Sequence, residues 1–346
     1  MKCNVLFFAG LISSAFLVSC SSNEDTSANS LGDYQNGIFV VNEGNGTAGS
    51  ISYIKNNFSA VTENIYSLEN PGDGIGGYVQ SIFFNGANAY IISNGSNKIT
   101  VVNRYTFKLV TKITTGFSVP RYGVVVNGKA YVTNLGSFTD LTDDYISVID
   151  LATNTVETNT IAVHAIADKI TEENGKLYIL NGNYGDGNTV TIIDPATPAV
   201  LNAIDLGMSP NSFEAQNGNL YVLCSNYTDP SKLVKINFST DEIESQITFP
   251  TTMVNAQNLN IENNTIYFTI DSKVYDELLT ATTISETPLF TSAATTLYGL
   301  TAKGSLLYIS DAKDYASSGE AFIYSTAGIL RYQIEVGLIP SGFYFN

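Results

Sequence analysis

A unit of about 45 residues recurs along this chain, and this repeat restricts the possible folds more than any other feature of the sequence. In each copy a short apolar strand and a tight turn precede a strand with an aromatic residue at its centre. The aromatic positions are Phe39, Tyr90, Tyr131, Tyr178, Tyr221, Tyr267 and Tyr308. Their spacings are 51, 41, 47, 43, 46 and 41 residues, near the length of one four-stranded β-propeller blade. The repeat therefore predicts seven blades.

The turn before each aromatic strand predicts a two-residue hairpin. These turns are Asn36-Gly37, Asn85-Gly86, Asn127-Gly128, Asn174-Gly175, Asn217-Gly218, Asn263-Asn264 and Lys303-Gly304. Asn and Gly tolerate positive φ at both central positions, as such a hairpin requires. A polar loop, a third strand such as Tyr145 to Asp150 and an outer strand such as Thr155 to Val163 complete the unit. Four antiparallel strands per unit, without a helical period, predict an all-β fold.

The two ends of the chain predict how the ring closes. Residues 339–346 repeat the start of a unit but have no hairpin partner, whereas residues 36–41 form a hairpin and second strand without a first. We expect the C-terminal strand to pair into the first blade, because this pairing removes two open sheet edges. One closed ring predicts one domain over residues 36–346.

Residues 1–19 are predicted to be a lipoprotein signal peptide. Lys2 precedes an apolar stretch at residues 5–18, whose 14 residues are too few to cross a bilayer as a helix. Residues 17–20, which end in Cys20, resemble the lipobox of bacterial lipoproteins, in which the cysteine carries acyl chains such as palmitate. A plain secretory signal ending near Ser19 is the alternative. The polar residues 20–35 are expected to form a lipidated flexible tether.

Acidic residues follow Cys20 closely, at Glu24 and Asp25. This arrangement resembles the surface-export signal of Bacteroidetes lipoproteins. We therefore expect a lipid-anchored protein of the outer membrane, exposed at the cell surface.

Charge and cysteine content exclude other classes. The formal charge is -16, from 16 Lys and Arg against 32 Asp and Glu, so the molecule repels the phosphates of nucleic acids. Cys3 is removed with the signal and Cys20 is lipidated, which leaves Cys224 as a small core residue and allows no disulfide within the mature chain.

Two short stretches resemble a known family of propellers. Residues 131–134 read Tyr-Val-Thr-Asn, the signature of YVTN-repeat, YncE-like propellers, and the similarity covers residues 36–346. Residues 37–45 and 49–53 resemble the opening of the Bacteroidetes surface propellers related to BtuG. That resemblance implies capture of cobalamin, or another corrinoid, and its transfer to a TonB-dependent outer-membrane transporter.

Alternation of antiparallel strands places the longer loops and the blade connections on one face, opposite the tight turns. Aromatic and amide side chains there suit a large, flat, partly apolar ligand or a protein partner. The candidate ligand-binding residues are Asn45, Tyr78, Asn94, Phe117, Arg121, Tyr122, Asn134, Phe138, His164, Asn183, Tyr184, Met208, Phe213, Tyr227, Met253, Asn255, Tyr298 and Tyr315. His164 is the one histidine of the sequence, which excludes a multi-histidine metal site. No catalytic residue, metal or cofactor is predicted.

The leading hypothesis is a surface binding protein without enzymatic activity. A cell-surface protein-interaction scaffold is the second, favoured if the loop face lacks a concave site of a few hundred cubic ångströms. The third is a lactonase-like hydrolase, which needs carboxylates at the central channel; Asp73, Asp168 and Glu214 are its candidates.

Asp140, Asp143 and Asp144 form an acidic loop that is either solvated or holds calcium. Two glycine motifs at residues 44–49 and 72–77 match the dinucleotide fingerprint, but neither opens a helix between two strands.

Overall fold

The structure, a computed structural model, describes residues 30–346 apart from Thr47 and Tyr184. The predicted signal peptide, Cys20 and most of the predicted tether lie outside the described residues. Within the described part, no helix combines the length and the apolar character that crossing a membrane demands.

The described residues form seven antiparallel sheets, as the repeat predicts. Blade 1 contains β1 (Gly37–Asn42), β2 (Ser50–Lys55) and β3 (Val61–Thr62). A short helix, α1 (Ile65–Glu69), leads to blade 2. Blade 2 contains β4 (Val79–Asn85), β5 (Asn88–Ser93), β6 (Lys98–Asn103) and β7 (Leu109–Ile113), with a 3₁₀ turn at Asn94–Ser96. Blade 3 contains β8 (Pro120–Val126), β9 (Lys129–Asn134), β10 (Tyr145–Asp150), β11 (Thr155–Val156) and β12 (Ile161–Ala162).

The remaining blades follow the same order. Blade 4 contains β13 (Ile170–Glu173), β14 (Lys176–Asn183), β15 (Asp186–Asp194) and β16 (Ala199–Asp205). Blade 5 contains β17 (Pro210–Gln216), β18 (Asn219–Cys224), β19 (Lys232–Asn237) and β20 (Glu242–Thr248). Blade 6 contains β21 (Gln257–Glu262), β22 (Thr265–Ile270), β23 (Lys273–Leu278) and β24 (Phe290–Thr291). Blade 7 contains β25 (Leu297–Lys303), β26 (Leu306–Asp311), β27 (Ser318–Ser325) and β28 (Leu330–Leu338), and the last strand is β29 (Pro340–Phe345).

The predicted closure of the ring is confirmed. Strand β29 is the inner strand of blade 1 and pairs antiparallel with β1, with Phe343 opposite Val40. The amide of Asn346 donates to the carbonyl of Gly37 at 2.9 Å, so the pairing extends to the last residue. The C-terminal strand thus hydrogen-bonds to the N-terminal one and leaves no open edge between the ends of the ring.

The tight turns differ from the prediction in three blades. In blade 1 no hairpin turn forms at Asn36-Gly37, because Gly37 already belongs to β1 and the strand that precedes β1 in the sheet is the C-terminal β29. Positive φ occupies both central positions at Asn127-Gly128, Asn174-Gly175, Asn217-Gly218 and Asn263-Asn264. In blades 2 and 7 the strand register instead centres the turns on Gly86-Ala87 and Gly304-Ser305, one residue later than predicted. Glycine takes the first central position there, since it adopts positive φ without steric cost.

The aromatic residue of each repeat is buried, as expected for positions that pack between neighbouring blades. Three of the tyrosines also link one blade to the next, and one of these is Tyr131, whose hydroxyl donates to the Pro195 carbonyl of blade 4 at 3.4 Å. The Tyr90 hydroxyl donates to Asn154 Oδ1 of blade 3, and the Tyr178 hydroxyl donates to Asp241 Oδ1 of blade 5, both at 2.7 Å. A buried tyrosine therefore supplies apolar area and an inter-blade hydrogen bond together.

The outer edge of blade 3 and the start of the compact unit differ from the predicted boundaries. The outer strand predicted at Thr155 to Val163 is divided into β11 and β12, which both pair with β10. The compact unit begins at Leu31, within the predicted tether. Tyr34 is buried there because its ring packs edge-on against Tyr53 and Phe107.

Cys224 is a free, buried core residue on β18, as predicted. Burial raises the pKa of its thiol to about 12. The thiol is therefore unreactive in the folded protein.

Candidate functional site

The inner strands β29, β4, β8, β13, β17, β21 and β25 line the centre of the ring. Each begins at the end of the molecule where the loops between second and third strands lie, and each except the C-terminal β29 ends in a tight turn. We call the first end the loop face and the other end the turn face. The predicted separation of long loops from tight turns follows from this alternation.

Several inner strands carry a β-bulge just after they leave the loop face. The register shifts between Val79 and Ser81, between Pro210 and Ser212, and between Leu297 and Gly299. The extra residues are Gln80, Asn211 and Tyr298. A β-bulge interrupts the alternation of side chains along a strand and points the side chain of the extra residue in a new direction. Bulges are therefore common beside binding sites. Here they bring polar side chains of different blades to one end of the channel.

A connected polar group lies at this end of the channel. Arg121 Nε donates to Asp168 Oδ1 at 2.8 Å, and Arg121 Nη1 donates to Gln80 Oε1. Gln80 in turn donates to the Tyr122 hydroxyl at 3.0 Å and accepts from Asn94 at 2.8 Å. The Arg121 and Asp168 side chains are both largely buried. Charged groups in this setting interact more strongly than on an open surface.

Glu43 and Tyr298 continue this polar group toward solvent. The Tyr298 hydroxyl donates to Glu43 Oε2 at 3.2 Å. Burial raises the pKa of Glu43, although the hydrogen bond from Tyr298 and the charge of Arg121 act in the opposite direction. We call Glu43, Gln80, Arg121, Asp168 and Tyr298 the channel mouth.

Exposed tyrosines lie at the channel mouth, which includes Tyr298, and beside it. Tyr78, Tyr298 and Tyr315 are 46%, 36% and 50% exposed. The rings of Tyr298 and Tyr315 meet edge to face at 5.9 Å. Tyr78 and Tyr315 have φ of 47° and 59°, a left-handed conformation that is strained for bulky residues and is found preferentially at functional sites.

Other predicted ligand residues on the loop face lie farther from the mouth. Phe138 and Tyr227 are 66% and 75% exposed, on the long loops of blades 3 and 5. Asn45 and His164 are also exposed, and Asn183 and Asn255 are half-buried. Tyr184 lies outside the described residues.

A further set of the predicted residues belongs to the packing of the blades. Met208 and Met253 are buried in apolar clusters, and Phe117 and Phe213 pack against such clusters with part of their surface. Asn134 is fully buried, and its Nδ2 donates to the Val132 carbonyl and to Ser147 Oγ. Contact of these buried side chains with a ligand would require the blades to open.

The carboxylates suggested for hydrolysis do not gather in the channel. Asp73 lies in the connection between blades 1 and 2, where its carboxylate binds Lys112 Nζ and accepts from the Tyr66 hydroxyl and its neighbour Gly74. Asp168 and Glu214 belong to the channel, but Asp168 is paired with Arg121. Asp73 therefore does not share the channel with Asp168 and Glu214, because the blade connection carries it to the outer strand β7.

Two ionisable residues inside the channel matter more than the sequence indicated. Lys169, which no motif singled out, follows Asp168, and Glu214 lies on β17. Burial lowers the pKa of Lys169. Burial raises the pKa of Glu214 to about 7, despite the opposing charge of Lys169. Glu214 was among the carboxylates singled out from the sequence, whereas no local signal pointed to Lys169.

The acidic loop of blade 3 uses its carboxylates to hold its own backbone. Asp140 accepts from the Thr142 amide, and Asp143 accepts from the Ser137 amide. Within residues 30–346, leaving aside Thr47 and Tyr184, no three His, Cys, Asp or Glu side chains are grouped closely enough to hold a metal ion.

A domain of unknown function, DUF5074, matches residues 36–315 of this chain. The chain belongs to the DUF5074 family. The matched segment begins at β1 and ends within the long loop of blade 7, so this DUF5074 domain is a β-propeller.

Two comparisons agree with that architecture. The seven-bladed β-propeller protein Rv1057 of Mycobacterium tuberculosis is 28% identical over 145 residues, which are 41% of this chain and 35% of the mycobacterial protein. The match thus spans about a third of that relative. A quinoprotein alcohol dehydrogenase-like protein of Bacteroides thetaiotaomicron superimposes with a TM-score of 0.69 at 18% identity, covering 90% of this chain and 78% of the other.

The expectation that the protein has no enzymatic activity must be corrected. The dihydro-heme d1 dehydrogenase NirN superimposes with a TM-score of 0.57 at 13% identity, covering 91% of this chain and 76% of that enzyme. Proteins with this propeller fold therefore include an enzyme, NirN, in addition to the dehydrogenase-like protein. At these identities the likeness concerns the fold, so the architecture gives no ground for excluding catalysis.

Proposed function

We propose that this DUF5074 protein binds a ligand on its loop face, over the channel mouth. The observation that carries the proposal is the group of exposed tyrosines, Tyr78, Tyr298 and Tyr315, beside the buried Arg121–Asp168 pair. Large aromatic surfaces exposed to water next to convergent polar groups are typical of binding sites.

A corrinoid is the ligand class that this surface suits best. Its ring is broad and partly apolar and would stack on tyrosines, and its amide side chains would bond to carboxylate, amide and guanidinium groups such as those of Glu43, Gln80 and Arg121. The resemblance of residues 37–45 and 49–53 to BtuG-like propellers supports the same ligand. In this proposal the protein is anchored through Cys20 at the cell surface and transfers its ligand to a TonB-dependent transporter.

Calorimetric titration of the purified protein with cyanocobalamin tests the ligand. We expect binding that Tyr78→Ala and Tyr298→Ala each weaken by about tenfold, because each removes an aromatic contact. Tyr332→Ala is the matched control, since Tyr332 is also exposed but lies on the outer strand β28. The absence of heat and of a spectral change with the folded protein would exclude a corrinoid.

Labelling of cells with radioactive palmitate tests the anchor. We expect the protein to incorporate label and the Cys20→Ser variant to incorporate none. Digestion of intact cells with protease then separates a surface location from a periplasmic one, because a surface protein is degraded without lysis.

A protein-interaction role is the second candidate, and the size of a cavity on the loop face favours it. This cavity, between blades 3 and 4, has a volume of about 60 Å³, well below the few hundred cubic ångströms of a typical small-molecule site. A photo-crosslinking amino acid at Tyr227, on the loop face, should then capture a partner in cells. The same amino acid at Thr153, on the turn face, is the control and should capture none.

A further inference from the structure

The cavity between blades 3 and 4 combines apolar walls with acidic groups. Its lining residues are Leu135, Ser137, Phe138, Leu141, Asp144, Ile166, Asn183 and Asp186. At about 60 Å³ it exceeds several times the roughly 10–15 Å³ that one water needs. The space therefore accommodates the end of a flexible chain, but not a cofactor.

Asp144 places an incompletely bonded carboxylate in the wall of this cavity. Its side chain is 2% exposed, and its Oδ2 accepts the Ala167 amide at 2.7 Å. Its Oδ1 is buried without a hydrogen-bond partner, and none of the ion pairs among the described residues includes Asp144. A buried carboxylate in this state costs free energy until a proton or a cation joins it.

The charges around Asp144 do not supply that cation. Burial raises the pKa of Asp144 to about 7, and the negative charges of Asp143 and Asp168 act in the same direction. Asp186, a further acidic residue, lines the same cavity. Arg121, the cation of the channel mouth, is bonded to Asp168 and Gln80. The cavity thus attracts positive charge.

We propose that this loop cavity binds a primary alkylammonium group, with the methylene chain against Leu135, Phe138 and Leu141 and the ammonium donating to Asp144 Oδ1. One free carboxylate oxygen suits an ammonium better than a guanidinium, which pairs with two oxygens at once. A divalent cation fits poorly, because apolar side chains form half of the lining and Ca²⁺ takes six or more oxygen ligands. The group is supplied by a free amine or by a lysine side chain of a peptide.

Titration with n-butylamine tests the site, with n-butanol as the probe that keeps the chain and lacks the charge. We expect butylammonium to bind and butanol to bind at least about tenfold more weakly, because the charge-assisted hydrogen bond is missing. Asp144→Asn should lower the affinity for butylammonium by a similar factor. Asp140→Asn, in the same loop but exposed, is the matched control and should change nothing.

Two further measurements keep the outcomes distinct. Thermal melting of Asp144→Asn shows whether the variant is folded, which we expect because it removes a buried charge. Lysine-containing peptides with a free or an acetylated ε-amino group separate the two sources, since only a peptide source gives tighter binding than butylamine and loses it on acetylation.

Equal affinity for butylamine in the wild type and Asp144→Asn would overturn the proposal. This result is independent of the corrinoid titration, because Asp144 is not part of the channel mouth.

Discussion

Arg121 and Asp168 belong to neighbouring blades and form an ion pair that is largely removed from water. Removing either partner leaves the other as a buried charge without its counterion, which is strongly destabilising. Exposed ion pairs behave differently, because water already solvates both partners.

We therefore expect Asp168→Asn to lower the free energy of unfolding by about 3–5 kcal/mol. The matched control is Glu157→Gln, which breaks the exposed pair between Lys129 and Glu157 and should cost about 1 kcal/mol or less. Urea denaturation followed by circular dichroism measures both changes. Equal effects of the two variants would contradict the assignment of a buried pair.

Glu214 predicts a pH dependence of stability. Because burial raises the pKa of Glu214 from its usual 4.5 to about 7, the folded protein binds more protons than the unfolded chain between these values. The contribution of Glu214 to stability is thus fully present below pH 4.5 and is lost as the pH rises through about 7.

Glu214→Gln should then be more stable than the wild type at pH 8, by about 1–3 kcal/mol after allowance for water in the channel, and the difference should vanish near pH 4.5. Urea denaturation at a series of pH values measures the effect. Glu242→Gln, on the exposed outer strand β20, is the control with no expected pH-dependent difference. A difference that grows toward low pH would show that the sign is wrong.

Among the secondary-structure elements, β29 has the largest effect on the ring because it joins the chain's two ends. Phe343 on this strand is buried against Tyr308 of blade 7, with ring centroids 5.6 Å apart. Strand β29 therefore contributes both edge pairing with β1 and apolar burial between two blades.

Phe343→Ala should lower the free energy of unfolding by about 3–5 kcal/mol, the usual cost of removing a buried phenylalanine. Phe345→Ala, on the same strand but only half-buried, should cost less. Deletion of residues 340–346 should expose the edge of β1 and cause aggregation, measured by light scattering. A monomeric and equally stable deletion variant would contradict closure through β29.

The hairpins and the bulges differ in how far sequence patterns predict them. Asn-Gly at residues 127–128 predicts its turn correctly, because the residue types themselves provide positive φ. In Asn85-Gly86-Ala87 the strand pairing selects the later dipeptide, and residue preference alone does not decide between the two. The bulge at Gln80 has no such local signature, since it depends on pairing with β5.

At the scale of the whole molecule, the formal charge of -16 predicts how salt affects stability. Excess negative charge repels itself in the compact state, and salt screens this repulsion. We expect the urea midpoint at pH 8 to rise when NaCl is raised from about 0.01 M to about 0.15 M. The control is the same experiment near the isoelectric point of about 4.3, where the increase should disappear. A lower midpoint at pH 8 would indicate that attractive pairs outweigh the repulsion.

The sequence by itself determined the seven blades, the closure by the C-terminal strand and the burial of Cys224. These features follow from local periodicity, turn chemistry and the unmatched strands at the two ends, which are all readable along one chain. Which residues meet at the channel mouth and around Asp144 was decided by the tertiary structure alone. Both sites join residues of different blades, such as Arg121 with Asp168, and bulges select which side chains meet. Such contacts depend on how the closed ring packs, and no local pattern around either residue encodes them.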